Sequence, residues 1–294
     1  MSFRSEAAGT HVAGAARKNP LALATEAVRD VVSRRRLVRY LVEAEVRKRG
    51  VNTVLGKLWW VLDPLLLMAV YVVFVTVIRS RALPDYPLFV FAAVLPWKWF
   101  TAAVTDATNS VVGQHRLIKQ IAFPKIVLPI AATTAGWVGF VFGLIPLVGI
   151  MAFYPHRLSF VILFIPVIAV VQFAFTMAVA ILVAGANVFF RDLGNVVRHV
   201  LRLWFYLSPG LYSVDMVLGL RTVQENPWMG IVFQLNPVAV LFEAYRAVIY
   251  GTPSAGPVLP DFLALAWLLL ASLGFLAVAA VVFKRLERDF AKVL

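Results

Sequence analysis

Apolar residues along this chain come in long blocks separated by short polar ones, and block length sets the elements. A helix rises ~1.5 Å per residue, so ~20 apolar residues cross the ~30 Å hydrocarbon of a bilayer. Six blocks read as spans: 59–78, 88–112, 126–153, 160–186, 203–220 and 262–283. Trp59 and Trp60 mark the inner edge of the first, and Pro84 and Pro87 lead into the second from outside. The short turn Tyr154-Pro155-His156-Arg157 joins the third and fourth.

Two segments fit neither span nor loop. Arg34–Arg49 sets Leu37, Leu41 and Ala44 at four- and three-residue spacing opposite a charged face, the pattern of an amphipathic helix lying in the inner interface. Arg221–Pro260 is semi-apolar and broken by Pro227, Pro237, Pro253, Pro257 and Pro260. It predicts helices dipping partway into the outer leaflet, with Val238–Tyr250 closed by Gly251 in a left-handed cap. Irregular backbone at that depth must be covered by protein or line a water-filled cavity. Six spans in one chain give little cover, so the segment points to an oligomer around a central pathway.

The expected fold is all-α and polytopic. A mobile cytoplasmic tail covers 1–33, and an amphipathic interface helix and turn cover 34–57. A transmembrane domain fills 58–283, with an outer gate at 221–260, and a cytoplasmic tail closes the chain at 284–294.

Charge supplies the orientation. Twenty-two of the 28 Lys and Arg residues fall in four segments (1–57, 114–125, 187–202 and 284–294) separated by even numbers of apolar blocks. Positive segments stay on the cytoplasmic side, so both termini are expected inside a multi-pass protein of the cytoplasmic (inner) membrane. A hydrophobic content of 61% excludes an ordinary soluble domain, where it is nearer ~45–50%. The net charge of +13 sits beside membrane spans, which favours anionic headgroups and an acidic partner surface over nucleic acid. The absence of cysteine excludes a disulfide scaffold and a Cys-based zinc site.

Catalytic chemistry is hard to place. Gly50 to Lys57 superficially resembles a phosphate-binding loop, but five residues separate its glycines and Leu58 stands where a magnesium-binding hydroxyl is required. Any nucleotide chemistry therefore belongs to another polypeptide, and no cofactor is expected in this chain. Acidic residues are scattered without an Asp-x-Asp, and the four histidines are isolated, so neither a glycosidase pair nor a metal centre is expected.

A transport pathway has better candidates. Lys98 lies inside the second span among Trp97, Trp99 and Phe100, and ionisable residues at such depth face a protein interior or a cavity. Asp106 continues that face toward the cytoplasm; Tyr71, Tyr206 and Tyr212 add aromatic surface near span ends. Ordinary interfacial aromatics and a snorkelling lysine would give the same pattern. Two inner loops pair charge with aromatics: Arg116, Lys119 and Phe123 in one, Phe189, Phe190, Arg191 and Asp192 in the other. Loops that only connect spans have no need of such apolar anchors, whereas short helices docking on a partner do.

Several motifs in order carry a family resemblance. Leu55-Gly56-x-Leu58-Trp59-x-x-Leu62-x-Pro64, Leu95-Pro96-Trp97, Phe123-Pro124-Lys125-x-x-Leu128-Pro129, Asn187-Val188-Phe189-Phe190-Arg191-Asp192-Leu193, Tyr206-Leu207-Ser208-Pro209 and Asn236-Pro237 resemble the permease subunits of ABC-2 type exporters. The likeness is to the polysaccharide-exporting branch, which includes O-antigen, teichoic-acid and actinobacterial galactan permeases. It implies a homodimer above two ABC nucleotide-binding subunits that bind ATP and magnesium. Gln114–Phe123 and Phe189–Val197 would be coupling helices, Arg221–Tyr250 a re-entrant outer gate, and a polyprenyl-diphosphate-linked polysaccharide the outward cargo. An ABC-2 exporter of a small lipid or drug, a membrane glycosyltransferase and a stand-alone carrier are the competing readings.

Overall fold

The computed structural model describes residues 19–48, 55–78 and 83–294. They form helices α1 (Pro20–Ser33), α2 (Arg35–Lys48), α3 (Trp59–Ile78), α4 (Tyr86–Gly113), α5 (His115–Gln120), α6 (Val127–Ala152) and α7 (Ile165–Asn187). There follow α8 (Leu193–Leu207), α9 (Val214–Leu218), α10 (Arg221–Glu225), α11 (Pro227–Gln234), α12 (Pro237–Ile249), α13 (Phe262–Leu286) and α14 (Phe290–Val293). No strand occurs among the described residues. The chain is an all-α polytopic membrane protein.

Helix α4 is the axis of the bundle. In its span 78% of residues are buried, against 11% in α3 and 17% in α13. It packs on α6, α7, α3 and α12, while α13 lies across α7. The small residues Ala92, Ala93, Ala103 and Ala107 of α4 are wholly buried and let the neighbouring helices approach closely.

Among the described residues five helices are long and apolar enough to cross a membrane, or six if the bent pair of α11 and α12 counts as one span. The fifth block is arranged differently from the pattern-based expectation of one span over 203–220. Its helix α8 starts ten residues earlier and stops at Leu207, 15 residues in all. The helix is amphipathic, with Arg198 and Arg202 exposed and Leu201 and Phe205 buried, so its first turns look like loop to a hydropathy window. It ends because Pro209 disfavours the helical region for Ser208, which is extended at φ −104° and ψ 157°.

The tails are also more ordered than expected. Residues 20–33 form α1, capped by the Asn19 side chain on the Leu21 amide with Pro20 in the first turn. Its Leu23 and Ala27 are buried, and the helix packs on α13. The expected mobile tail over 1–33 is corrected over that stretch; residues 1–18 lie outside the described residues. At the other terminus Phe290 is fully buried against Phe283, so 284–294 is docked on the bundle.

Helix α2 lies against α6 through Leu37, Val38, Leu41 and Val42, while Ala44 is exposed. Gly56–Leu58 is a single tight turn, and 49–54 lie outside the described residues.

Candidate functional site

Two irregular regions stand at opposite ends of α4. At the end where α4 begins, α11 and α12 meet at a 70° bend. The bend sits deep: Asn236 accepts a hydrogen bond from Trp204 Nε1 at 3.0 Å and donates to Ser208 Oγ at 2.8 Å. From there α12 climbs back beside α4, Phe242 meeting Trp97 edge-on, until the Tyr250 hydroxyl reaches the Pro84 carbonyl at 2.9 Å. The pair thus has the form of a broken span or a re-entrant loop. Gly251 at φ 73° supplies the cap, and a side chain there would collide with the Gly256 carbonyl.

Two buried arginines hold this backbone in place. The Arg246 guanidinium donates to the carbonyls of Gly210 at 2.7 Å and Tyr212 at 3.0 Å, and to Glu243 at 3.3 Å, and it lies 3.8 Å over the Phe89 ring. Carbonyls left free by the break after α8 find donors here that lipid cannot provide. Arg157 does the same for the turn after α12, donating to the carbonyls of Tyr250, Thr252 and Pro253. Its Nε pairs with Asp85 at 2.8 Å, and His156 Nε2 meets the same carboxylate oxygen at 2.7 Å. Asp85 takes the left-handed region at φ 51° immediately before α4. Desolvation pushes its carboxyl upward, but the hydrogen bonds and charges of His156 and Arg157 outweigh this and hold it below the usual carboxylate range.

Neither arginine stands in a motif or amphipathic pattern that marks it as a site residue. The available signal was their isolation. They are two of only six cations outside the four basic segments, and a lone cation on the cation-poor side calls for a partner.

At the other end, where α4 finishes, two short segments and the C-terminus come together. α5 buries Ile118, exposes Arg116, and donates from Lys119 Nζ to the Leu294 carbonyl at 2.8 Å. The second segment is a tight turn over 188–192 that runs straight into α8, so the separate coupling helix expected at Phe189–Val197 is corrected: α8 absorbs its second half. Asn187 makes that turn, donating to the Thr108 carbonyl at 2.9 Å and accepting from the Gly194 amide at 3.1 Å. Phe189 points inward onto Phe290, and Phe190, Arg191 and Asp192 are exposed together. Phe123 is half-buried in the same apolar cluster as Phe189 and Phe290. Lys284, 8% exposed, ties α13 to α1 through Asp30 at 2.6 Å and to Glu287 at 2.9 Å.

The pathway candidates separate into two groups. Trp97, Trp99 and Phe100 are buried inside the chain and pack on Phe205, Trp137 and Phe175 respectively. In this conformation the three rings fill the space between helices, because α6, α7 and α8 surround α4. Lys98 pairs with Asp63 of α3. Asp106 is half-buried further along α4. Tyr71 stacks on Phe205, while Tyr206 and Tyr212 line a cavity of about 560 Å³ with Phe74, Met216 and Phe233. Among the described residues no three His, Asp or Glu side chains cluster as a metal site would require.

No family model matches the chain. It is 34% identical over 266 residues to the O-antigen export system permease protein RfbA of Myxococcus xanthus, covering 90% of this chain and 98% of that protein. It is also 26% identical over 257 residues to the protein of the same name from Klebsiella pneumoniae, covering 86% of this chain and 93% of the relative. The chain belongs to the O-antigen export permease family. Permeases of this family are transporter subunits rather than enzymes.

Proposed function

We propose that this chain is the membrane half of an ATP-driven exporter that carries a polyprenyl-diphosphate-linked polysaccharide outward across the inner membrane. Two copies would enclose the pathway, two ABC ATPase subunits would dock beneath them, and both termini would be cytoplasmic. The observation that carries this reading is α8. This one rigid helix begins at the exposed Phe190-Arg191-Asp192 turn and ends at the Ser208–Gly210 break held by Asn236 and Arg246. A partner pressing on that turn moves the far end directly, and the far end holds the gate. ATP drives such a switch when it binds the two permease states with different affinity.

Co-expression with the ABC ATPase of the same export system tests the reading. A stable two-plus-two complex in nanodiscs, with ATP hydrolysis stimulated by polyprenyl-linked glycan, supports it. A chain that purifies alone under every condition and still acts on a lipid-linked sugar overturns it in favour of an enzyme.

A further inference from the structure

A groove of about 350 Å³ opens between α3 and α6 with α4 as its floor, away from the gate and the coupling turn. Gly136 and Gly139 of α6 leave it open, and Trp59 and Trp60 of α3 form its rim. Three polar groups border this space. Lys98 and Asp63 form an ion pair whose side chains are 32% and 54% exposed, so both retain hydrogen-bonding capacity toward the groove. The third is the indole N–H of Trp99. That residue is 4% exposed and its Nε1 has no hydrogen-bond partner among the described residues. The ring edge carrying Nε1 lies against the bare Cα of Gly136, where a Cβ would stand 3.4 Å away.

We propose that this groove is a binding subsite for a single neutral sugar ring. A buried donor without a partner is unfavourable, and it points to a ligand oxygen as the missing acceptor. The rest of the lining selects the ligand class. Lys98 only donates and Asp63 only accepts, so the pair suits hydroxyls that do both. An anion drawn to Lys98 would meet the Asp63 carboxylate across the same narrow space, and that repulsion disfavours phosphate. A neutral ring leaves the ion pair balanced, and its apolar C–H face can lie on the tryptophan rim. The volume falls at the small end of ligand sites, about 300–1,000 Å³, which fits one ring rather than a chain segment. The polysaccharide-export reading supplies the natural source of such a ring; the binding itself stands on the groove alone.

The test uses the full chain in phosphatidylcholine nanodiscs and saturation-transfer NMR with a panel of neutral methyl hexopyranosides. At least one should receive saturation. Trp99→Phe and the double variant Asp63→Leu/Lys98→Met should each weaken it about tenfold or more, as expected for losing at least one hydrogen bond of this kind. The double variant neutralises both partners, so it removes the risk that an unpaired Lys98 unfolds the site. No transfer from any hexopyranoside overturns the proposal. Unchanged affinity in a folded Trp99→Phe or double variant also overturns it. Displacement of the sugar by inorganic phosphate, or by phosphatidylglycerol added to the nanodisc, overturns the sugar in favour of an anionic ligand. Sugar binding by a chain that never assembles with an ATPase would refute the exporter reading and leave the subsite standing.

Discussion

At the end where α4 begins, the buried cations Arg157 and Arg246 face backbone carbonyls; at the end where it finishes, Lys284 faces the carboxylates of Asp30, Glu26 and Glu287. The difference follows from what each end must hold. The first end consists of broken backbone, whose free carbonyls need several donors at fixed angles. A planar guanidinium provides five such donors, and an ammonium cannot reproduce them. The tail end joins regular helices whose own backbone is satisfied, so a point charge between acidic side chains is enough. Arginine fixes backbone shape there, and lysine fixes helix position here.

Substitutions break this comparison in graded steps. Arg246→Met should have the largest effect, about 3–5 kcal/mol, because Glu243 and the carbonyls of Gly210, Tyr212 and Phe89 lose its donors. Thermal unfolding in nanodiscs measures it, and Arg246→Lys should recover only a minor part. A full recovery would mean that charge alone matters at this end. Lys284→Met should cost less, about 1–3 kcal/mol, and release α1 as a protease-sensitive segment around residues 20–33. Resistance of that segment in the variant would show that Leu23 and Ala27 hold the helix unaided.

Asp85→Asn should cost about 1–2 kcal/mol at neutral pH by weakening the Arg157 and His156 contacts. Because the folded carboxyl titrates below its unfolded value near ~3.9, the parent protein carries this stability above that pH. It should lose the contribution as pH falls through the lowered folded value. The variant should lack this acid-side loss, and identical acid profiles would remove the pair from the account. Reversing both charges at Arg191 and Asp192 should change stability least, within ~0.5 kcal/mol, since both are exposed. It should nonetheless uncouple ATP hydrolysis from export, and normal export by that variant would discard the turn as a coupling element.

Much of this molecule was legible in the chain itself. Apolar block length determined the long helices α3, α4, α6, α7 and α13, because a bilayer imposes one length on every span. Proline spacing and Gly251 determined that 221–260 is broken and where α12 ends, since both residues act through local backbone sterics. Motif order along the chain was enough to indicate the permease family.

Tertiary structure decided the rest. Hydropathy cannot see α8, because an amphipathic helix whose Arg198 and Arg202 face outward looks like loop until its buried face has neighbours. It cannot tell that Trp97, Trp99 and Phe100 are packed while Lys98, in the same run, is not, because that depends on which helices surround α4. Nor can it pair Asp63 with Lys98, Asp85 with Arg157 or Asp30 with Lys284. Those partners lie far apart along the chain, and only the packing of the helices brings each carboxylate to its cation.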